Sequence, residues 1–129
     1  RRVKDQVELT DFRVIDEIGP AGSINSNVED MIRYVAMYLN QGRHEGAQIL
    51  SSATVQQMMT PQMVIPGALR WKENGHQSYG MGLMVGSYQG RKLVQHGGNI
   101  DGFSALIAML PQENAGLVVL TNMNGSSLP

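Results

Sequence analysis

The chain has 129 residues, the size of one domain, and at that length roughly two-thirds of the unfolded surface is removed from water on folding. Ten Lys and Arg stand against eleven Asp and Glu, a formal charge of −1, which gives no electrostatic basis for binding nucleic acid or an anionic membrane. Cysteine is absent, which excludes disulfides, zinc-thiolate sites and cysteine nucleophiles, and no apolar run approaches the ~20 residues of a membrane span.

Arg1, Arg2 and Lys4 are balanced by Asp5, Glu8 and Asp11, so the start of the chain reads as a solvated end. Residues 1–23 form a lead-in segment. Their apolar positions, Val7, Leu9, Phe12, Val14, Ile15 and Ile18, follow no period, which predicts extended or irregular chain. Because the first residue is Arg1 rather than methionine, the lack of a signal peptide carries no weight.

Gly19-Pro20-Ala21-Gly22 has loop chemistry, and Ser26 with Glu29 makes a capping box that opens the helical part, residues 24–60. Val28, Met31, Ile32, Val35, Ala36 and Leu39 share one helical face. Glu29 and Arg33 are spaced to pair outside, and Gly42 stops the helix. A second helix is predicted over 52–59, with Val55, Met58 and Met59 inward and Pro61 beyond its end.

Residues 61–78 read as a polar loop punctuated by Pro66-Gly67 and Asn74-Gly75, with Trp71 as an anchor to the body. From Tyr79 to Asn122 the period becomes two. Tyr79, Met81, Leu83 and Val85 fall on one strand face, with Gly80, Gly82 and Gly86 on the other. Return strands follow at 91–96, 103–110 and 116–121, four antiparallel strands in sequence order. The fold class is therefore α+β, one partial domain with helices packed on an antiparallel sheet.

The last two strands are apolar on both faces: Ala105, Ile107 and Met109 against Leu106, Ala108 and Leu110, then Leu117 and Val119 against Val118 and Leu120. Strands of that kind need cover above and below, a three-layer arrangement. Two helices cover one side. The other is expected to be left as an apolar patch larger than a soluble monomer usually carries, so a further piece of the fold, or a second chain, is expected to cover it.

Gly19-Pro20-Ala21-Gly22-Ser23, Tyr79-Gly80-Met81-Gly82-Leu83, His96-Gly97-Gly98 and Gly102-Phe103-Ser104, the last followed by Leu117 to Asn122, occur in that order. Together they resemble the C-terminal portion of the serine β-lactamase and penicillin-binding-protein family, in its branch of class C-like esterases and D-amino-acid peptidases. The resemblance implies a three-layer α/β/α fold and a serine hydrolase that acts on amide or ester bonds through an acyl-enzyme, without a cofactor. It also implies a peptide-like or ester substrate, and a full-length parent placed in the periplasm or outside the cell.

No serine here is followed three residues later by lysine, so the family's Ser-x-x-Lys is absent; Tyr38-Leu39-Asn40 sits on a helix on the wrong side of the Gly-Pro-Ala-Gly-Ser segment. A chain without that nucleophile cluster is expected to be inactive alone. The resemblance assigns His96 to the position the family fills with lysine or histidine. It gives the backbone N–H of Asn99 as one oxyanion donor and leaves Gly97, Gly98 and Tyr79 to line the substrate, with Tyr79 facing either core or cleft.

Without those neighbours, His96 would read as an ordinary hydrogen-bonded polar side chain, and Asp101-Gly102 as a turn. His44, His76 and His96 have no metal-site spacing, and Gly80-x-Gly82 lacks the rest of a dinucleotide fingerprint. The rival reading is a non-catalytic binding or assembly module that uses the sheet edge at His96 to Asn99, with homo-oligomer formation through the apolar face.

Overall fold

The computed structural model describes residues 2–3, 6–67 and 72–125, so the expected anchoring role of Trp71 lies outside the described residues. In chain order the elements are β1 (Arg2–Val3), β2 (Gln6–Val7), α1 (Gly19–Gly22), α2 (Val28–Leu39), β3 (Arg43–His44), β4 (Ala47–Gln48) and α3 (Ser52–Met58). The sheet strands follow as β5 (Met63–Ile65), β6 (Gln77–Tyr79), β7 (Met84–Tyr88), β8 (Arg91–Ile100), β9 (Phe103–Leu110) and β10 (Ala115–Thr121). The last six form one antiparallel sheet in the order β10-β9-β8-β7-β6-β5, while β1-β2 and β3-β4 are separate two-stranded ribbons. The fold class is α+β, as the sequence predicts.

The sheet has two strands more than expected. The alternation of Tyr79, Met81, Leu83 and Val85 suggests one strand, but the chain reverses between Tyr79 and Met84, so these residues do not share a face. Gly80 sits where a Cβ would collide with the carbonyl oxygens of Met58 and Thr60, and the N–H of Met81 donates to Met58 O at 3.1 Å. This anchor to the end of α3, with Gly82 at φ 75°, turns the chain before β7 can start. The expected loop 61–78 likewise contains a strand, since Met63, Val64 and Ile65 pair with Tyr79, Ser78 and Gln77.

Local chemistry corrects three further expectations. Gly19–Gly22 is a single helical turn, with Pro20 in its first turn where a missing N–H costs nothing. The cap of α2 is Asn27, whose Oδ1 accepts from the N–H of Asp30 at 3.0 Å, and not Ser26 in a box with Glu29; asparagine ranks with serine as a cap. Arg33 pairs with Asp30 at 2.8 Å, one turn back, rather than with Glu29. At the other end Gln41 takes the left-handed conformation at φ 55°, and Gly42 N–H donates to Met37 O at 2.8 Å. That Schellman-type closure makes Gly42, itself at φ 84°, the stop, with Gln41 taking the first left-handed position.

One side of the sheet carries the core. Val85, Val94, Met109 and Gly116 form one cross-strand row, and the first three are 4%, 0% and 1% exposed beneath Val35, Tyr38, Val55 and Met59 from the helical part. The Tyr38 hydroxyl lies 3.0 Å from that of Tyr34, and burial pushes the Tyr38 phenol well above its ordinary range. The adjacent row, Met84, Gln95, Ala108 and Leu117, points to the opposite side, where none of the four is buried and Leu117 is 52% exposed. Val28 and Ile32, expected on the inner face of α2, are also exposed. Among the described residues, helical cover is thus on one side, and on the other Ser104 alone of the sheet residues is buried, beside the chain that follows β10.

Candidate functional site

Two hairpins fix the main-chain directions of β8. Gln89 and Gly90, at φ 49° and 78°, join Tyr88 to Arg91, while Asp101 and Gly102, at φ 44° and 87°, join Ile100 to Phe103. Such two-residue turns with both φ values positive place a doubly hydrogen-bonded pair at their base. Counting by twos from either turn gives the same answer: Arg91, Leu93 and Gln95 direct their N–H and C=O groups toward β7. Val94, His96, Gly98 and Ile100 direct theirs toward β9. By the same parity Gly97 and Asn99 face the β7 side.

Among the described residues no strand pairs with that side beyond Gln95. β7 begins at Met84, the partner of Gln95, and Leu83 leaves the sheet for the core at 2% exposure. The backbone groups of Gly97 and Asn99 therefore lie along an open edge, and Gly97, Gly98 and Asn99 are all exposed. Neither Gly97 nor Gly98 has a positive φ. A Cβ at Gly97 would make only ordinary contact with Ala105 O at 3.4 Å, and one at Gly98 would meet nothing within 4 Å. Nothing inside the described chain requires glycine at these two positions.

His96 is half-buried, in a row with Ile107 on the helix side of the sheet. Its Nε2 is 2.8 Å from the hydroxyl of Tyr79, with the two rings edge to face at 5.8 Å. Tyr79 closes β6 opposite Met84, so its side chain reaches past the start of β7 to the first histidine beyond the paired stretch. The structure thus brings Tyr79, His96, Gly97, Gly98 and Asn99 to one place.

Asn99 also makes side-chain contacts that the sequence did not disclose. Its Oδ1 accepts from Ser104 Oγ at 2.5 Å and from the N–H of Gly125 at 3.1 Å, while Ser104 Oγ lies 2.8 Å from Met123 O. Ser104 is 2% exposed, the buried polar residue of the sheet. In the sequence it is marked as the end of Gly102-Phe103-Ser104 and as a hydroxyl at an otherwise apolar strand position.

Arg13 and Phe12 were also unmarked in the sequence. Arg13 donates from its backbone N–H and Nε to Asp101 at 3.0 and 2.6 Å, and Phe12 stacks on Phe103 at 6.0 Å. A shallow polar depression of about 290 Å³ lies beside this contact, lined by Thr10, Asp11, Arg13, Asp101, Gly102 and Asn124. It shares no residue with the His96 edge. Among the described residues no group of three or more His, Asp or Glu side chains could hold a metal ion, and no helix is long and apolar enough to cross a membrane.

A family model described as Beta-lactamase matches residues 2–128. Among solved structures, the chain is similar to the octameric penicillin-binding protein homologue from Pyrococcus abyssi, at a TM-score of 0.67 and 29% identity over 78% of this chain. The match covers 21% of that homologue, so the chain spans about a fifth of its length. No curated protein sequence matches. With the family model running over nearly the whole sequence and a penicillin-binding protein homologue sharing the fold, the chain belongs to the serine β-lactamase and penicillin-binding-protein-like family.

Proposed function

We propose that this chain supplies one wall of a serine hydrolase site that cleaves amide or ester bonds through an acyl-enzyme, in the manner of a peptidase or esterase. The wall is the vacated edge of β8. An extended, peptide-like substrate adds its main chain to that edge, Gly97 and Gly98 let it approach closely, and the Asn99 N–H serves as an oxyanion donor. His96 stands at the inner end of the edge as the hydrogen-bonding group nearest the reacting centre. The nucleophilic serine and its lysine come from a Ser-x-x-Lys that this sequence does not contain.

What supports the reading is the pairing of an open edge with glycines that neither backbone conformation nor crowding explains. The chain is expected to be inert alone and active when joined to a segment carrying Ser-x-x-Lys. In the joined protein, hydrolysis of a chromogenic ester or a D-alanyl amide should fall about 10²–10⁴-fold for His96→Ala. Turnover by the 129-residue chain alone, or unchanged turnover in the variant, would remove the assignment.

A further inference from the structure

We propose that Tyr79 is a positioning residue that holds the His96 imidazole in its Nδ1–H form, so that His96 keeps an N–H donor at Nδ1 whether the ring is neutral or charged. The geometry is a 2.8 Å contact between the Tyr79 hydroxyl and Nε2, with the rings inclined at 70°. Two arguments fix the direction of that bond.

The first is acid–base chemistry. A phenol O–H is a stronger acid than the N–H of neutral imidazole, and the bare imidazole nitrogen is a stronger base than a phenol oxygen. The better donor gives to the better acceptor, so the hydroxyl donates to Nε2. The second is hydrogen-bond satisfaction. Among the described residues, this mutual bond is the only hydrogen bond of either side chain. Either tautomer leaves one donor without a protein acceptor, the phenol O–H with the proton on Nε2 and the ring N–H with it on Nδ1, but a proton on Nε2 would also leave the basic nitrogen Nδ1 unused in place of the weaker phenol acceptor.

With Nε2 occupied, the proton of the neutral ring resides on Nδ1. On protonation Nε2 gains a hydrogen and donates back to the phenol oxygen, while Nδ1–H is unchanged. A lysine at this position would supply a donor by virtue of its charge; His96, held by Tyr79, supplies one without needing charge. The tautomer stands on geometry alone, and the identity of what Nδ1–H meets rests on the proposed function.

The test is the pair of ring ¹⁵N shifts of His96, read from long-range ¹H–¹⁵N spectra of the labelled chain about two pH units above the ordinary imidazole value of ~6.5. A proton-bearing shift at Nδ1 and a bare-nitrogen shift at Nε2 are expected, with loss of that preference in Tyr79→Phe. An Nε2–H ring in the unmodified chain, or an Nδ1–H ring that persists in Tyr79→Phe, would overturn the proposal. The first measurement needs no variant, so a Tyr79→Phe chain that fails to fold leaves the proposal decidable. The outcomes also separate from hydrolysis: an active joined enzyme with Nε2–H defeats only this inference, and an inactive one with Nδ1–H defeats only the proposed function.

Discussion

Arg13 grips Asp101 at two points, its backbone N–H on one carboxylate oxygen and its Nε on the other. The residues lie 88 positions apart, and the grip ties the lead-in segment to the β8–β9 turn just beyond the open edge. The backbone N–H of Arg13 is the main influence holding the Asp101 carboxyl below its ordinary value of 3.8, with burial opposing and the guanidinium assisting.

A carboxylate whose native pKa is depressed stabilises the fold above its unfolded pKa, and that contribution is lost as pH falls through the native value. Hydrogen exchange at the Arg13 amide should therefore be slow near neutrality relative to its sequence-intrinsic rate, and should lose that protection as the pH drops below 3.8. Asp101→Asn keeps a residue that tolerates the left-handed conformation of this turn, so it should mimic the acid state at pH 7. Equal protection in the two chains would show that the carboxylate charge does not strengthen the contact.

Two glycines of the same strand system should respond in opposite ways. At Gly80 the atoms in the path of a Cβ are backbone carbonyls of Met58 and Thr60, which cannot swing aside, so Gly80→Ala should destabilise by about 1–3 kcal/mol. At Gly98 the path is empty and φ is not positive, so Gly98→Val should change stability by no more than about 0.5 kcal/mol. In the joined enzyme the same Gly98→Val should raise KM if, as proposed, substrate lies along this edge, because the new side chain would stand in its approach. Urea midpoints of the two variants check the first contrast. A destabilised Gly98→Val chain would mean the glycine serves the fold.

The sequence discloses what is encoded over short distances. Strands β9 and β10 read correctly because each is an unbroken apolar run bounded by turn residues, Asp101-Gly102 and Pro111 to Asn114, whereas β8, expected to end at His96, runs on through both glycines to Ile100. The break between β6 and β7 was hidden because Tyr79, Met81, Leu83 and Val85 keep a period of two straight through a reversal that α3 imposes from outside. β5 is only three residues long, too short for a period to show. At the site, the glycines and His96 were legible as a motif. The contacts that hold the site were not: Tyr79, expected to line the substrate, reaches His96 only because β7 starts late, and Ser104 and Arg13 act through contacts that no spacing announces.

Helix α2 lies so close to β10 that a Cβ at Gly116 would strike Cγ1 of Val35, a β-branched side chain that is 1% exposed and has no free rotamer to take up. Leu39 Cδ1 is the next atom at 3.3 Å. Gly116→Val should therefore push the helix off the sheet and cost about 1–3 kcal/mol, although Gly116 itself is exposed and valine favours strands. Pairing it with Val35→Ala should recover part of the loss, since the smaller partner makes room. A double-mutant cycle in urea measures the coupling, and additive effects would contradict direct contact.

The uncovered side of the sheet makes the last prediction. In the row Met84, Gln95, Ala108 and Leu117 no residue is buried, while the neighbouring row beneath the helices is closed at Val85, Val94 and Met109. Leu106, Leu110 and Val119 on the open side are only partly shielded, by one another and by strand neighbours. Contiguous apolar surface of this kind binds hydrophobic dyes and draws molecules together. The 129-residue chain should therefore bind such a dye in its native state and grow in apparent mass with concentration. Leu117→Lys, at a residue already 52% exposed, should reduce both without lowering the urea midpoint by more than about 0.5 kcal/mol. A dye-silent monomer, or a substitution that unfolds the chain, would show that this side is covered in solution.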